Sequence, residues 1–407
     1  MKRIVICMDG TWQTLNQDEL TNIGIIARSV AHKETRPDGS HIQQTVIYSH
    51  GVGSSLSALA DPSFSERAAE RFNRLAGGAF GSGLENLLLD TYLRLAFNYE
   101  AGDELYIFGF SRGAFAARRL AGLINTAGIV SRVHAEKARD GFRLYYNKPR
   151  DSASDAVKQE HEDAARQFRM LYGKGARNAD GTRRQTEDVP PITYIGVFDT
   201  VVQRGLGGVI ASFTPWDDQR NNFANLRVCP NTRAARHAVA LDEARIGFPP
   251  MLWNALDESN REAGAVRFEQ RWFVGTHGDI GGGLGSKLAA AALKWVAEGA
   301  AAQGLRFYAT YGEDRSPLDQ TLHEAGMSWD SAISRPPFWK ALQPIHYPWR
   351  ARKIWSAKER PTLDDAQATF DEGVIRRSRA DYVRPRYRPA SLRPFSKALK
   401  DWQLPGG

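Results

Sequence analysis

Ser111 lies at the centre of the five-residue motif Gly-Phe-Ser-Arg-Gly, a pattern that suits a nucleophilic hydroxyl. The apolar run at residues 104–108 predicts a buried strand, and residues 114–124 after the motif predict a helix. A strand, this motif and a helix form a nucleophile elbow, in which a strained turn exposes the serine. The two glycines, Gly109 and Gly113, are then expected to pack against each other. The alternative is an ordinary glycine-rich turn in which Ser111 only caps the helix.

A serine hydroxyl becomes a good nucleophile when a histidine removes its proton and a carboxylate orients that histidine. Asp199 and His277 each follow a further predicted strand, at residues 192–198 and 271–274. The carboxyl ends of the strands of an open α/β sheet meet at one edge, and the chain order Ser, Asp, His is that of α/β-hydrolases. We therefore predict Ser111 as nucleophile, His277 as general base and Asp199 as the orienting acid.

Other side chains are alternatives for these roles or are expected to line the site. Asp279 is the second choice for the acid, because a carboxylate two residues after His277 seldom points at that imidazole, and Asp242 is the third. Asp279 and His50 are both expected near the site, although His50 precedes the serine in the chain. His237 lies in an apolar pattern that is typical of the core. Taken alone, the predicted acid and base could each be structural residues of their turns.

The oxyanion of an acyl-transfer reaction needs two preorganised N–H donors. One is predicted to be the backbone N–H of Arg112, the residue after the nucleophile. The other is expected from the loop after the first strand, where the sequence reads Asp9, Gly10, Thr11 and Trp12. Because glycine allows a close backbone approach, the N–H of Gly10 or Thr11 is the predicted second donor. Asp9 and Trp12 are expected to line the same site.

The elements that must position these residues alternate along the chain. Strands are predicted at residues 2–8, 45–49, 104–108, 192–198 and 271–274, and helices at residues 84–99, 114–124 and 287–302. Alternating strands and helices favour a parallel sheet covered on both sides. The sequence thus predicts an α/β-hydrolase-like fold with a mostly parallel central sheet and helices on both faces.

One domain is predicted over residues 1–407, with three additions to the core. The polar stretch at about residues 135–190 is interpreted as a helical insertion. Residues 203–226, rich in glycine and aromatic side chains, are interpreted as a lid loop. Prolines and basic residues from about residue 330 to 407 predict an irregular C-terminal extension that wraps around the core.

Composition places the chain among globular proteins, with 42% hydrophobic and 25% charged residues. The first apolar run, at residues 4–8, is too short for a signal peptide, and no stretch approaches the ~20 apolar residues of a membrane span. With two cysteines as well, we expect a reduced, cytoplasmic protein, with signal-independent secretion left open.

The net charge of +8 has two interpretations: transient contact with an anionic membrane, or a basic surface that only keeps the protein soluble. We expect no specific binding of nucleic acid. Zinc spacings, a Walker A loop and G-x-G-x-x-G are not seen, so we expect no metal and no cofactor.

Several stretches, in the same order over almost the whole chain, resemble one family. They are residues 8–12 (Met-Asp-Gly-Thr-Trp), 21–22, 51–53, the elbow at 109–114, Gly-Val-Phe-Asp-Thr-Val at 196–201, the segment 237–245, the glycine-rich run 275–283 and the stretch 382–392. They are similar to the DUF2235 family of α/β-hydrolases, which includes the type VI secretion phospholipase effectors of the Tle1 type. The resemblance implies Ser111, Asp199 and His277 as catalytic residues and ester hydrolysis, with phospholipid acyl esters as the best-known substrates.

The leading hypothesis is a serine carboxylester hydrolase that acts on lipid-like acyl esters and needs no cofactor. One alternative is a hydrolase of small non-lipid esters, and another is a non-catalytic binding module on a hydrolase fold. Residues 9–11 are also similar to the end of the haloacid-dehalogenase motif. That chemistry needs an aspartate where this chain has Cys7, so phosphoryl transfer is disfavoured.

Overall fold

The computed structural model describes most of the chain. The described residues are 1–11, 13–51, 80–150, 152–174, 189–201, 227–245, 248–262, 264, 266–308, 310–311, 314–321, 369–374, 392 and 395–401. Trp12, the predicted lid at residues 203–226 and most of the predicted C-terminal extension lie outside them.

A seven-stranded sheet forms the centre of the protein. Its strands are β1 Arg3–Met8, β2 Lys33–Thr35, β3 His41–Ser49, β4 Glu104–Phe110, β5 Ile192–Phe198, β6 Ala235–Ala240 and β7 Phe268–Phe273. They lie in the order β2-β3-β1-β4-β5-β6-β7, and every neighbouring pair is parallel except β2 with β3. Two further strands, β8 Thr310–Tyr311 and β9 Asp314–Arg315, form a separate antiparallel pair.

Nine α-helices are described around the sheet. They are α1 Asn22–Ser29, α2 Phe80–Asn98, α3 Arg112–Ala127, α4 Ala138–Tyr146, α5 Asp155–Tyr172, α6 Leu256–Glu262, α7 His277–Gly281, α8 Ala289–Ala302 and α9 Ser396–Asp401. Alternate side chains of each central strand enter different apolar clusters: Ile4 and Ile6 pack with α2 and α3, whereas Val5 and Cys7 pack with α1 and α8. The sheet is therefore covered on both faces, and the predicted fold class is confirmed.

Continuous apolar runs explain why the central strands pair in parallel. Every residue of β1 and β5 is buried, and in β4 all residues after Glu104 are buried. Such strands need cover on both sides, which the crossover helices of parallel connections supply. The exposed strand β2 pairs antiparallel at one edge of the sheet.

Within the predicted insertion, the described residues form a 3₁₀ helix at Arg132–Lys137 followed by α4 and α5. The described C-terminal pieces lie at the other edge, where Phe370 forms a parallel bridge to Trp272 of β7 and packs against Phe395. Among the described helices, none combines the length and the apolar character that crossing a bilayer requires.

The strand order creates a crevice at the carboxyl ends of β1 and β4. From β1 the chain goes to β3 on one side and then returns to β4 on the other side of β1. Open α/β sheets bind ligands where the winding reverses in this way. The predicted elbow follows β4 and the predicted oxyanion loop follows β1, so both lie at this crevice.

Candidate active site

Ser111 occupies a strained turn between β4 and α3. Its backbone has φ 57° and ψ −121°, a conformation that residues with a side chain rarely adopt. A Cβ atom at Gly109 would lie 2.5 Å from the Gly113 carbonyl oxygen, so the close packing expected of the two glycines is present. The Ser111 N–H donates to the Phe198 carbonyl at 3.0 Å, which ties the elbow to the end of β5.

Three side chains from three strand ends form one hydrogen-bonded line. The Ser111 Oγ lies 2.8 Å from His277 Nε2, and His277 Nδ1 lies 2.7 Å from Asp199 Oδ2. All three residues are buried, with 7% of Ser111, 6% of His277 and none of Asp199 exposed. A neutral imidazole that donates from Nδ1 to the carboxylate has its Nε2 lone pair directed at the serine hydroxyl. This arrangement can remove the proton of a nucleophilic serine.

The backbone around Asp199 holds its carboxylate in place. Asp199 has a positive φ of 37°, its N–H donates to the Ala238 carbonyl at 2.7 Å, and its Oδ1 accepts the Ala240 N–H at 2.9 Å. The following N–H, that of Thr200, donates to Nε2 of the fully buried His237 at 3.1 Å. His237 therefore lies in the core, as its apolar pattern indicated, and also supports the turn that carries Asp199.

A short helix, α7, presents His277. A capping box formed by Thr276 and Asp279 begins it, since the Asp279 carboxylate accepts the Thr276 N–H at 2.8 Å. Gly275 has φ 125° and lies so close to Asp279 that a Cβ atom would be 2.6 Å from the Asp279 Cβ. The Asp279 carboxylate thus caps the helix. The imidazole of His277 packs against the rings of Phe110 and Phe248 at centroid distances of 4.8 and 5.1 Å.

Burial lowers the pKa of His277 below its usual 6.5, even though the hydrogen bond to Asp199 and the charge of that carboxylate favour the protonated form. The imidazole is therefore neutral at pH 7. A neutral imidazole is the form that can act as a general base.

The segment after β6 is hydrogen-bonded to the turn before His277. The Asp242 N–H donates to the Gly275 carbonyl at 2.9 Å, and Asp242 Oδ2 accepts the Gly275 N–H at 2.8 Å. Next to it, the buried Glu243 accepts the His277 N–H at 3.2 Å. Sequence reasoning included Asp242 as third choice for the acid but did not single out Glu243. The feature of the sequence that could have identified Glu243 is an Asp-Glu pair directly after the apolar stretch 238–241.

Asp9, at the end of β1, is a buried carboxylate that organises the neighbouring loops. Its oxygens accept hydrogen bonds from the Thr21 hydroxyl at 2.8 and 3.0 Å, the Tyr48 hydroxyl at 2.6 Å and the Gly10 N–H at 2.7 Å. Burial raises the pKa of Asp9 to about 6, against the opposing effect of these hydrogen bonds. Thr21 is also the N-cap of α1, and Tyr48 belongs to β3. The Asp9 carboxylate therefore connects the loop after β1 with α1 and β3.

The remaining predicted residues are Gly10, Thr11, Arg112 and His50. The Gly10 N–H is bonded to Asp9, whereas in the described part of the chain the Thr11 N–H and its buried hydroxyl have no hydrogen-bond partner. Arg112 is the first residue of α3, directly after Ser111. The exposed His50 lies with its ring against Tyr48, at a centroid distance of 5.1 Å.

Across the described ranges, no group of three or more His, Cys, Asp or Glu residues is placed to hold a metal ion.

A mostly parallel α/β sheet with a strained serine elbow at its carboxyl edge defines an α/β-hydrolase architecture. The family model described as "T6SS, Phospholipase effector Tle1-like, catalytic domain" matches residues 2–299. The chain therefore belongs to this family of Tle1-like phospholipase catalytic domains.

Three other proteins are similar to this chain. The uncharacterized protein YEL023C of Saccharomyces cerevisiae is 27% identical over 256 residues, which are 63% of this chain and 33% of that protein. An uncharacterized protein from Pseudomonas aeruginosa, solved by crystallography, has a TM-score of 0.41 and 17% identity over 84% of this chain and 52% of its own. A Tle1 effector, solved bound to the VgrG spike of the type 6 secretion system, has a TM-score of 0.35 and 16% identity over 69% and 52%. The chain spans about a third of the yeast protein and about half of each solved chain.

Proposed function

We propose that this chain is a serine carboxylester hydrolase that acts on acyl esters of lipids. The observation that carries the proposal is the continuous hydrogen-bonded line from Ser111 Oγ through the His277 imidazole to the Asp199 carboxylate, with distances of 2.8 and 2.7 Å. Family membership supports the lipid part of the proposal, because the family is described by its phospholipase effectors.

The acylation step follows from this geometry. His277 Nε2 takes the proton of Ser111 as the oxygen attacks the acyl carbon, and the resulting imidazolium is stabilised by Asp199 at Nδ1. The imidazolium then gives its proton to the leaving alcohol as the ester C–O bond breaks. A water molecule, deprotonated by the same imidazole, then attacks the acyl carbon of the acyl-enzyme. The imidazolium returns the proton to Ser111 Oγ as the bond between this oxygen and the acyl carbon breaks, which releases the fatty acid.

The oxyanion is proposed to be held by two backbone N–H groups, one after β4 and one after β1. Arg112 supplies one from the first position of α3, where the helix dipole also favours negative charge. Thr11 supplies the other, since the Gly10 N–H already donates to Asp9. Of the two residues that sequence reasoning left open, the hydrogen-bond pattern favours Thr11.

A fluorophosphonate probe tests the nucleophile. We expect the wild-type protein to be labelled at Ser111 and the Ser111→Ala variant not to be labelled. Replacement of the exposed turn residue Ser40 by alanine, a matched control far from the crevice, is expected to leave labelling unchanged. A folded wild-type protein that does not react would instead support a non-catalytic binding module.

The substrate is tested separately from the nucleophile. Initial rates are measured on p-nitrophenyl esters of increasing acyl length and on vesicles of phosphatidylcholine mixed with an anionic phospholipid. A preference for long acyl chains and release of fatty acid from the vesicles are expected. Turnover restricted to short soluble esters would reject the lipid substrate and leave a hydrolase of small esters.

A further inference from the structure

We propose that Glu243 and Arg245 form a positioning pair that holds His277 in place and sets how strongly its imidazole binds a proton. The inference rests on the proposed function, because it concerns the base of the proposed triad. Neither residue touches the reacting atoms, so both act through His277.

The first part of the argument is the backbone contact. Glu243 Oε2 accepts the His277 N–H at 3.2 Å, and only 2% of Glu243 is exposed. Asp199 orients the side chain of His277, whereas Glu243 holds its main chain. The two bonds between Asp242 and Gly275 hold the preceding turn on the same side. The position of the imidazole is thus determined from the segment after β6 as well as from β5.

The second part is the charge of the pair. Arg245 donates from Nε to Glu243 Oε1 at 2.8 Å and from a terminal nitrogen to Oε2 at 2.7 Å, and its backbone N–H also reaches Oε1 at 2.8 Å. Although burial alone would raise it, the pKa of Glu243 is lowered by these bonds and by the charge of Arg245. Glu243 is therefore ionised at pH 7, so a full negative charge is buried beside the proposed base.

The third part is the stack that connects Arg245 to the imidazole. The Arg245 guanidinium lies 3.8 Å from the centroid of the Phe248 ring, and that ring packs edge-on against His277 at 5.1 Å. Arg245 is the exposed member of the ion pair, with 36% of its side chain accessible, and Glu243 is the buried member. A negative and a positive charge therefore lie near one imidazole on the same side, and their effects on its protonation have opposite signs.

The other charged and titratable groups near His277 are accounted for. Asp199 bonds Nδ1 and Ser111 bonds Nε2, while Asp242 and Asp279 are bonded to the backbone of the turn at Gly275 and Thr276. None of these groups is altered when Glu243 or Arg245 is replaced. Glu243→Gln therefore removes one charge near the imidazole, and Arg245→Gln removes one charge in the pH range where Glu243 stays ionised.

The test measures the pKa of His277 directly. In ¹⁵N-histidine-labelled protein, the His277 signals are identified by their loss in His277→Asn and then titrated by NMR in wild type, Glu243→Gln and Arg245→Gln. Glu243→Gln is expected to lower the pKa of His277, and Arg245→Gln to raise it, each by about half a pH unit or more. The double variant is expected to return close to the wild-type value.

Activity supplies the second readout and a control. The acid limb of kcat/KM on a p-nitrophenyl ester is expected to move to lower pH in Glu243→Gln and to higher pH in Arg245→Gln. Glu269 also forms ion pairs with two arginines, Arg236 and Arg271, both at 2.9 Å, but it lies near the start of β7. Glu269→Gln is expected to leave the His277 titration unchanged.

The outcomes separate this inference from the proposed function. The inference would be overturned if the pKa of His277 shifted in the same direction in Glu243→Gln and Arg245→Gln, or if it failed to shift in one or both of them. The pair would then have a purely structural role. If Glu243→Gln does not fold, the half-exposed Arg245→Gln still decides the matter by the sign of its shift. The NMR titration needs no turnover, so a protein without esterase activity would refute the proposed function while the inference could still be judged.

Discussion

Asp9 gives the protein an unusual dependence of stability on pH. The unperturbed pKa of an aspartate is 3.8, and burial at the end of β1 raises that of Asp9 to about 6 in the folded protein. Between these two values the folded state binds the proton and the unfolded state does not. The unfolded state binds fewer protons in this window, so the contribution of Asp9 to stability falls as pH rises from about 4 to about 6.

The size of the effect follows from the two pKa values. A difference of about two pKa units at about 1.4 kcal/mol each gives a total loss of about 3 kcal/mol. About 2 kcal/mol of this loss falls between pH 4 and pH 7, because the unfolded-state carboxyl is still partly protonated at pH 4. Replacement of Asp9 by asparagine removes this titration. Asparagine also loses acceptor capacity toward Thr21, Tyr48 and Gly10, which costs about 1–3 kcal/mol, but this penalty does not depend on pH in that range.

The assay is urea unfolding, followed by tryptophan fluorescence at pH 4, 5, 6 and 7 for wild type and Asp9→Asn. The difference in free energy of unfolding is expected to move by about 2 kcal/mol in favour of the variant as pH rises from 4 to 7. Asp38→Asn is the control, because hydrogen bonds from the Ser40 side chain and backbone lower the pKa of this exposed carboxyl, so its difference moves the other way. Curves for wild type and Asp9→Asn that stay parallel across this range would refute the reasoning.

Four further outcomes follow from the site. Asp199→Asn removes the carboxylate that orients the imidazole, so kcat is expected to fall by a factor on the order of 10⁴ in an ester-hydrolysis assay, with the melting temperature as control. Because burial lowers the pKa of His277, and the base must be neutral, wild-type kcat/KM is expected to rise with pH to a midpoint below 6.5 and to be level at pH 7. In Gly109→Ala the added methyl would lie 2.5 Å from the Gly113 carbonyl, so fluorophosphonate labelling should be lost, and unchanged labelling would contradict the elbow geometry. Asp279→Ala removes half of a capping box and is expected to cost about 1–2 kcal/mol in a urea titration, whereas an unchanged midpoint would deny Asp279 that role.

The parts of the site that could be read from the sequence share one property: each is marked by a pattern of residues that are close together in the chain. The elbow is a local turn, and its two glycines together with the apolar strand before it and the helical pattern after it predict it. Asp199 and His277 each come directly after an apolar run. Because parallel strands end at one edge, their meeting with Ser111 follows without knowledge of which strands are neighbours.

The parts that could not be read depend on which strands lie side by side. Glu243 reaches His277 because β6 lies next to β7, and His237 supports the Asp199 turn because β6 also lies next to β5. Alternation of apolar runs predicts strands but not their order. In the same way, the Asp9 carboxylate meets the Tyr48 hydroxyl only because β3 pairs with β1. The direction of the Asp9 carboxylate also matters for the proposed oxyanion donor. Because this carboxylate accepts the Gly10 N–H, the N–H of Thr11 is the proposed donor.

The order of the strands also explains why one segment supports both partners of the serine. β6 lies between the strand that ends in Asp199 and the strand that leads to His277. Its own end can therefore reach both turns, and it does so through Ala240 to the Asp199 carboxylate and through Glu243 to the His277 backbone. A displacement of this strand end would move the acid and the base together relative to Ser111, which is held by β4 and β5. Since proton transfer depends steeply on the Ser111–His277 distance, we expect substitutions after β6 to affect kcat more than the binding of substrate.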